Sequence, residues 1–465
     1  MGLTPPPGRS SSGRGKLRGR WRLLAGGLLI FGLSRCRPAA PGPNIILISI
    51  DTLRADRLGC YGYRFDTTPA MDRLASRSTV FRQAITPVPR TAPSVASILT
   101  GLYPHTHGVR SNWIPLPGEF PALAELLRNR GYRTAAIVGN YVLKRQYSGF
   151  DRGFELFDDR MPARELNRDI WEKSASDITA SALRWLEENR EEQFFLWLHY
   201  QDPHGPYIAP PEYGDFFARS EEDPIPADLV PAYQLLPWIP EQNGQVDAEA
   251  YRASYDREIK YCDDAIGQLL GELTRLGLDD TVIILVSDHG ESLGEHEYFF
   301  EHGGFIYDPS SRVVLIVHLP GLAGPGEVDG QVSVLSIAPT LLELAGVPVP
   351  AEMAAPSLLP LLRGTKDRIE ETIFIERLNK LKAVRTSRWK YIRNLQNSRE
   401  ELYDLKNDPG ETQNLSELNP GICREMNRQL EAWMNPADRI PLTEVREMMI
   451  DKEDRKALRS LGYLH

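Results

Sequence analysis

Asn-Ile-Ile-Leu-Ile-Ser-Ile-Asp, residues 44–51, is an almost unbroken apolar run that stops at a carboxylate. A strand with one wet face alternates apolar and polar side chains. A run without alternation fits a strand covered on both faces, as in the middle of a parallel sheet. Working outward, runs of the same kind recur at 132–138, 194–199, 281–287 and 313–318. Helical periodicity fills intervals at 68–75, 121–130 and 248–276, with Gly131 and Gly277 as stop signals. This rhythm predicts an α/β fold: a doubly wound, mostly parallel central sheet with helices on both faces. Residues 202–245, rich in proline, tyrosine and acids, read as an inserted loop. Its Tyr207, Tyr213, Phe216, Phe217, Tyr233 and Trp238 are expected to wall a pocket. Beyond 365 the character changes, and 372–376, 383–386 and 389–393 read as short antiparallel strands. The expected organisation is a leader and linker over 1–40, a catalytic α/β domain over 41–365, and a C-terminal subdomain over 366–465 with a small antiparallel sheet and a terminal helix.

The composition, 42% apolar and 25% charged over 465 residues, supports a large core and excludes both disorder and a disulfide scaffold. Residues 1–40 carry eight Lys/Arg and no acid, which leaves 46 Lys/Arg against 63 acids in the rest, a balance of −17. So acidic a body is a poor polyanion binder, and nucleic acid is not an expected partner. Arg9, Arg14, Lys16, Arg18, Arg20 and Arg22 precede an eleven-residue apolar run at 23–33, which is short for a membrane span and right for a signal-peptide core. Leu33-Ser34-Arg35-Cys36 resembles a lipobox, although Arg35 stands where a small residue is usual. The expectation is an extracytoplasmic protein, periplasmic or anchored, touching membrane only through its N-terminal segment or a lipid on Cys36. Cys60, Cys262 and Cys423 lack metal-ligand spacing and read as buried thiols.

In open α/β sheets, ligands gather at the carboxyl ends of strands. Asp51 ends the first run, and Asp288-His289 ends the run at 281–287. A single acid in such a place is as often a helix cap. Two carboxylates and an imidazole on one sheet edge instead make a three-ligand set for one divalent cation. Thr91-Ala92-Pro93-Ser94 has helix-start chemistry, Thr91 reading as the N-cap and Val95, Ile98 and Leu99 as a buried helix face. A hydroxyl at a helix N-terminus lies beside free N–H groups and suits an anionic tetrahedral ester, and a neighbouring cation can activate it as a nucleophile.

Four segments together resemble the sulfatases, within the alkaline phosphatase superfamily. They are 44–62, 91–108, Val286-Ser287-Asp288-His289-Gly290-Glu291 with Leu293-Gly294-Glu295-His296, and 401–411. The resemblance implies an alkaline-phosphatase-like fold and makes Asp51, Asp288 and His289 metal ligands, with Thr91 where a sulfatase has its formylglycine-forming Cys. It implies that His204, in Asp202-Pro203-His204-Gly205-Pro206, contacts the substrate anion. His302 lies close to where many members place a Lys on the leaving group. Four departures stand out. Thr91 cannot become formylglycine, Val95 replaces the motif's Arg, Thr52 replaces a second Asp, and Gly139-Asn140-Tyr141-Val142 lacks the family's sulfate-gripping Lys. The expectation is a metal-dependent hydrolase of sulfate esters with Thr91 as nucleophile, acting on an anionic ester such as a glycan sulfate. A phosphodiesterase or phosphoethanolamine-type transferase is the alternative, and a non-catalytic binding homologue the third reading. The resemblance implies Ca²⁺, whereas an imidazole and a hydroxyl ligand suit Mn²⁺ or Zn²⁺.

Overall fold

The computed structural model describes residues 42–434, except 165–166, 168–170, 215, 218, 220, 323–325, 370–371 and 379. The expected leader, Cys36 and residues 435–465 lie outside the described residues. The central sheet contains β1 Asn44–Ile50, β2 Thr79–Ile85, β3 Arg133–Val138, β4 Leu156–Asp158, β5 Phe194–Tyr200, β6 Thr281–Ser287, β7 Arg312–Val313, β8 Leu315–His318 and β9 Gly326–Ser333. β1 lies in its middle, parallel to β6 on one side and β5 on the other. β3 and β4 continue in parallel beyond β5. On the far flank β8 runs antiparallel to β6 and β2, and β9 closes the edge parallel to β2.

Successive side chains of β1 feed two separate cores. Ile45 and Leu47 pack with Val282, Ile284 and Trp197 beneath α1 Thr91–Thr100, while Ile46, Ile48 and Ile50 pack with Ile283, Leu285 and Leu198 on the opposite face. That second face is covered by α2 Ala175–Asn189 and α3 Ala248–Arg275, and α4 Ile337–Leu344 lies on the first. These isoleucines are wholly buried, and each contributes about 1.5–3 kcal/mol by leaving water. α3 starts where the Asp247 carboxylate accepts from Glu249 N–H, and the chain leaves it through Gly277 at φ +72°.

Three expectations change in detail. The strand expected over 313–318 is broken at Val314, because the last residue of β6 takes that peptide out of the regular ladder: Ser287 N–H donates to Val314 O at 3.1 Å, and Val314 N–H donates to Ser287 Oγ at 2.9 Å. β2 and β9 join the sheet although their mixed polar sequences gave no sign of it. Cys60 is only half-buried, since its turn lies at the surface, where Asp72 Oδ1 accepts from its N–H. Cys262 and Cys423 are buried.

The C-terminal sheet has four antiparallel strands, one more than expected: β10 Ile373–Arg377, β11 Leu381–Arg385, β12 Trp389–Asn394 and β13 Glu400–Asp404. α5 Pro420–Met434 covers Val384, Tyr391 and Leu402 on one face with Cys423, Met426 and Leu430. The other face, Ile373, Ile375, Ala383 and Ile392, packs against Ile85 of β2 and Ile306. A buried ion network pins it there. Lys390 Nζ lies 2.8 Å from Glu411 and 2.9 Å from Asp308, and Arg385 reaches Asp308 at 2.7 Å. No helix among the described residues is long and apolar enough to cross a membrane.

Candidate metal centre and active site

The β1–β6 register sets Ile50 opposite Ser287, so the next residues, Asp51 and Asp288, leave adjacent strands side by side. His289 follows Asp288, and its Nε2 lies 3.6 Å from Asp51 Oδ1 and 3.6 Å from Asp288 Oδ2. All three side chains are wholly buried. His289 Nδ1 faces Gly290 O at 2.9 Å; a carbonyl can only accept, so Nδ1 carries the hydrogen and Nε2 turns a lone pair toward the carboxylates.

The two nearest carboxylate oxygens, Asp51 Oδ1 and Asp288 Oδ2, have no hydrogen-bond partner. Buried charge without a partner is costly, and a cation bonded at about 2.0–2.6 Å to each ligand atom would satisfy both. The donor set therefore fits a divalent ion. The other oxygens are already engaged. Asp288 Oδ1 accepts from His289 N–H at 2.7 Å, and Asp51 Oδ2 accepts from Asn140 Nδ2.

Electrostatics separate the two acids. Burial and the charge of Asp51 push the Asp288 carboxyl well above the ordinary carboxylate range. Burial acts the same way on Asp51, but the histidines around it, His204 first and then His199 and His289, hold it below that range. Burial and neighbouring His302 push the His289 imidazole down to about 3, so it is neutral and available as a ligand.

Thr91 Oγ1 lies 3.3 Å from His289 Nε2, on the same focus. The sequence reading of Thr91 as N-cap is corrected. The helix N-cap is Arg90, whose side chain makes no cap bond, and Thr91 is the first helical residue. Asn112 Oδ1 takes the next free N–H, from Ala92, at 3.1 Å. Relieved of capping, the Thr91 hydroxyl faces His289. Ser94, one turn on, clamps the helix to the site: its Oγ donates to Asp288 O at 2.6 Å and pairs with Thr86 Oγ1 at 2.8 Å.

His204 and His302 stand over this cluster. The His302 ring is 4.5 Å from the ring of His289 and 5.2 Å from that of His204. Glu291 Oε1 lies 3.2 Å from His302 Nδ1, and Gly205 O lies 2.7 Å from His204 Nδ1. Both loops rest on Gln234 of the inserted segment. Its Nε2 donates to Phe300 O at 3.0 Å, and its amide fills the space where a Cβ at Gly205 would lie. The insertion thus scaffolds the site, although not all its aromatics face a pocket: Tyr207 is buried against Tyr255 and Phe300, while Phe216 and Trp238 are exposed.

Sequence reasoning missed several supporting groups. Asn140 was read only as a lost Lys, yet it holds Asp51. His199 Nε2 lies 3.7 Å from Asp51 Oδ2, and its Nδ1 is 2.8 Å from Ser49 Oγ. Ser49 is the one polar residue inside the 45–50 run, and that break in the pattern was the available signal. Thr52 sits at φ +53° with its N–H directed at Asp288 Oδ1 at 3.4 Å, an uncommon conformation for a β-branched residue and one that recurs at functional sites.

With this geometry established, comparison with known proteins places the chain. The Sulfatase family model matches residues 43–347, and a second model, N-sulphoglucosamine sulphohydrolase, C-terminal, matches 294–436. A Delta 4,5-hexuronate-2-O-sulfatase of Bacteroides thetaiotaomicron is 28% identical over 83% of this chain and 87% of its own length. A choline-sulfatase of Rhizobium meliloti is 28% identical over 89% and 88%. The crystal structure of a phosphonate monoester hydrolase of Agrobacterium radiobacter superposes with a TM-score of 0.70 at 21% identity, covering 84% of this chain and 95% of that one.

Proposed function

Because the chain belongs to the sulfatase family of ester hydrolases, we propose that it is an extracytoplasmic, metal-dependent sulfuric ester hydrolase acting on sulfated sugars, with Thr91 as nucleophile. The observation that carries this reading is the convergence of the Thr91 hydroxyl with Asp51, Asp288 and His289 in one buried focus. Asp51, Asp288 and His289 would hold a divalent cation, whose Lewis-acid charge would polarise an ester oxygen and lower the pKa of a nearby hydroxyl. Ca²⁺ follows from the family, while the imidazole also suits Mn²⁺ or Zn²⁺. The Thr91 hydroxyl gives up its proton to solvent, and Oγ1 forms a bond to sulfur as the ester S–O bond to the leaving alcohol breaks. His302, oriented by Glu291, gives the leaving oxygen its proton, and His204 holds a non-bridging oxygen. Water then cleaves the threonine ester, releasing sulfate and restoring the hydroxyl. A sugar substrate is supported by the related hexuronate sulfatase. The basic start, the apolar run at 23–33 and Cys36 support export.

Thr91 itself favours a second reading, cleavage of phosphodiesters or phosphonate esters. A threonine cannot form the aldehyde hydrate of a sulfatase, and Val95 occupies the place of the Arg that would orient one. Rates on an aryl sulfate, a phosphate monoester and a phosphodiester, with Ca²⁺, Mn²⁺ and Zn²⁺ returned in turn to chelator-treated protein, decide between them. The sulfate reading expects the largest kcat/KM on the sulfate. A phosphodiester turned over faster would replace it with the second reading.

A further inference from the structure

A buried amide stands between Asp51 and Asn140, at the carboxyl end of β5. The β1–β5 register pairs Ile50 with Tyr200, and Asp51 N–H donates to Tyr200 O at 3.0 Å. The β3–β5 register pairs Val138 with His199, and Gly139 N–H donates to His199 O at 2.9 Å. Asp51, Gln201 and Asn140 therefore follow three adjacent strands at one level of the sheet edge, and Asp288 is their counterpart after β6. The backbone of Gln201 also carries part of the site. Its carbonyl accepts from His204 N–H at 2.9 Å, so the turn that presents His204 starts on it.

Strand residues alternate between the two faces of a sheet. Tyr200 belongs to the core under α2 and α3, whereas Trp197 packs beneath α1. Gln201 thus falls with Trp197 and His199 on the α1 face, the side from which Thr91 enters. The hydrogen bond from Asn140 to Asp51 spans the end of β5 on that face. His199 lies behind it, its Nε2 3.7 Å from Asp51 Oδ2, and Gln201 is two residues nearer the open edge.

Gln201 is 4% exposed and its Oε1 has no hydrogen-bond partner. Among the described residues its side chain bonds at neither end. A polar group shut away from water without a partner destabilises the fold. The Asn140 amide next to it is satisfied at both ends, by Asp51 and by Val142 N–H. One amide on this edge is engaged by the protein and the other is left over.

Resting on the ester-hydrolase reading, we propose that Gln201 binds the substrate, its carboxamide nitrogen donating to a non-bridging oxygen of the ester anion alongside His204. The anion supplies the acceptor that the fold withholds, and a hydrogen bond to a charged partner is stronger than one between neutral groups.

Calorimetric titration of inorganic sulfate and of methylphosphonate into the full-length protein, with Mn²⁺ in excess, reads this contact without turnover. Gln201→Leu is expected to weaken the tighter-binding anion about 10- to 100-fold, the range for losing a hydrogen bond to a charged group. Its melting temperature without anion should equal or exceed the parent's, because an unpartnered polar group has been removed. Gln201→Met, unbranched like glutamine, gives the same reading where leucine disturbs packing. Parent-like anion affinity in either folded variant overturns the proposal. So does a melting temperature far below the parent's in both variants, which would make the amide a structural member, and so does a parent that binds neither anion. Hydrolysis of an aryl sulfate and a phosphodiester by the parent reports separately on the ester-hydrolase reading. Anion binding that depends on Gln201 without turnover of either ester would sink that reading and leave the contact standing.

Discussion

Asn140 donates a hydrogen bond from Nδ2 to Asp51 Oδ2, and so fixes which oxygen of that carboxylate, Oδ1, is turned toward His289. The amide is itself held, because its Oδ1 accepts from Val142 N–H at 2.8 Å. A neutral amide thus orients the buried carboxylate of Asp51. Asn140→Ala is expected to leave the fold intact and to weaken divalent-ion affinity about 10- to 100-fold, the usual effect of losing a group that orients a metal ligand. Titration calorimetry on chelator-treated protein checks it. Unchanged affinity would detach Asn140 from the site.

Thr91→Ala should hardly move the melting temperature, because Arg90 holds the N-cap position and no cap bond is lost. Turnover should fall by several orders of magnitude, and Thr91→Ser should keep much of it. Thr91→Cys alone should not create a formylglycine sulfatase, since Val95 cannot orient the hydrate; Val95→Arg is needed too. Parent-level hydrolysis by Thr91→Ala would remove Thr91 from the reaction.

The buried ion network under the C-terminal sheet gives a stability prediction. Lys390→Met strands Glu411 without its ammonium and leaves Asp308 with Arg385 alone. Loss of one partner from a buried charge network costs about 3–5 kcal/mol. Urea unfolding should register a loss of that order, and a change below about 1 kcal/mol would show that the acids rearrange freely.

Asp263 predicts a pH dependence. It is buried in α3, where it accepts from Ala70 and Met71 N–H at 2.9 and 2.8 Å, and burial pushes its carboxyl up to about 7 against 3.8 for the exposed group. Lys260 opposes the shift and Asp264 adds to it. Between those values the folded chain keeps a proton that the unfolded chain has released. Asp263 therefore contributes stability at low pH that is lost as pH rises from about 4 to 7. In Asp263→Asn the melting temperature should fall less over that interval. A parallel pH profile would show that another group governs the slope.

Much of the fold was legible because buried parallel strands announce themselves. Residues 45–50 and 281–287 are apolar apart from Ser49, Thr281 and Ser287, and the acids that follow them meet because β1 and β6 are in register. β2, with Arg82 and Gln83 in its middle, carries no such sign, since those residues are only partly buried. That Thr91 would lie beside His289 was legible, but its place in the helix was not. Threonine is a favoured N-cap, and only tertiary structure shows that Arg90 takes that position instead.

The position of β1 between β5 and β6 also has a consequence in time. β1 is the first strand of the described chain to be synthesised, yet its register partners begin at Phe195 on one side and Thr281 on the other. Contacts so remote in sequence form slowly. Until residue 200 is available Ile-Ile-Leu-Ile-Ser-Ile has neither partner strand, and until residue 287 one of its edges stays open, a segment of high β-propensity without charge of the kind that seeks strands of other chains. Asp51 and Asp288 become neighbours only when β1 and β6 close together, so no cation can seed the early stages of folding through this site. A nascent chain has to stay soluble until both β5 and β6 have closed on β1.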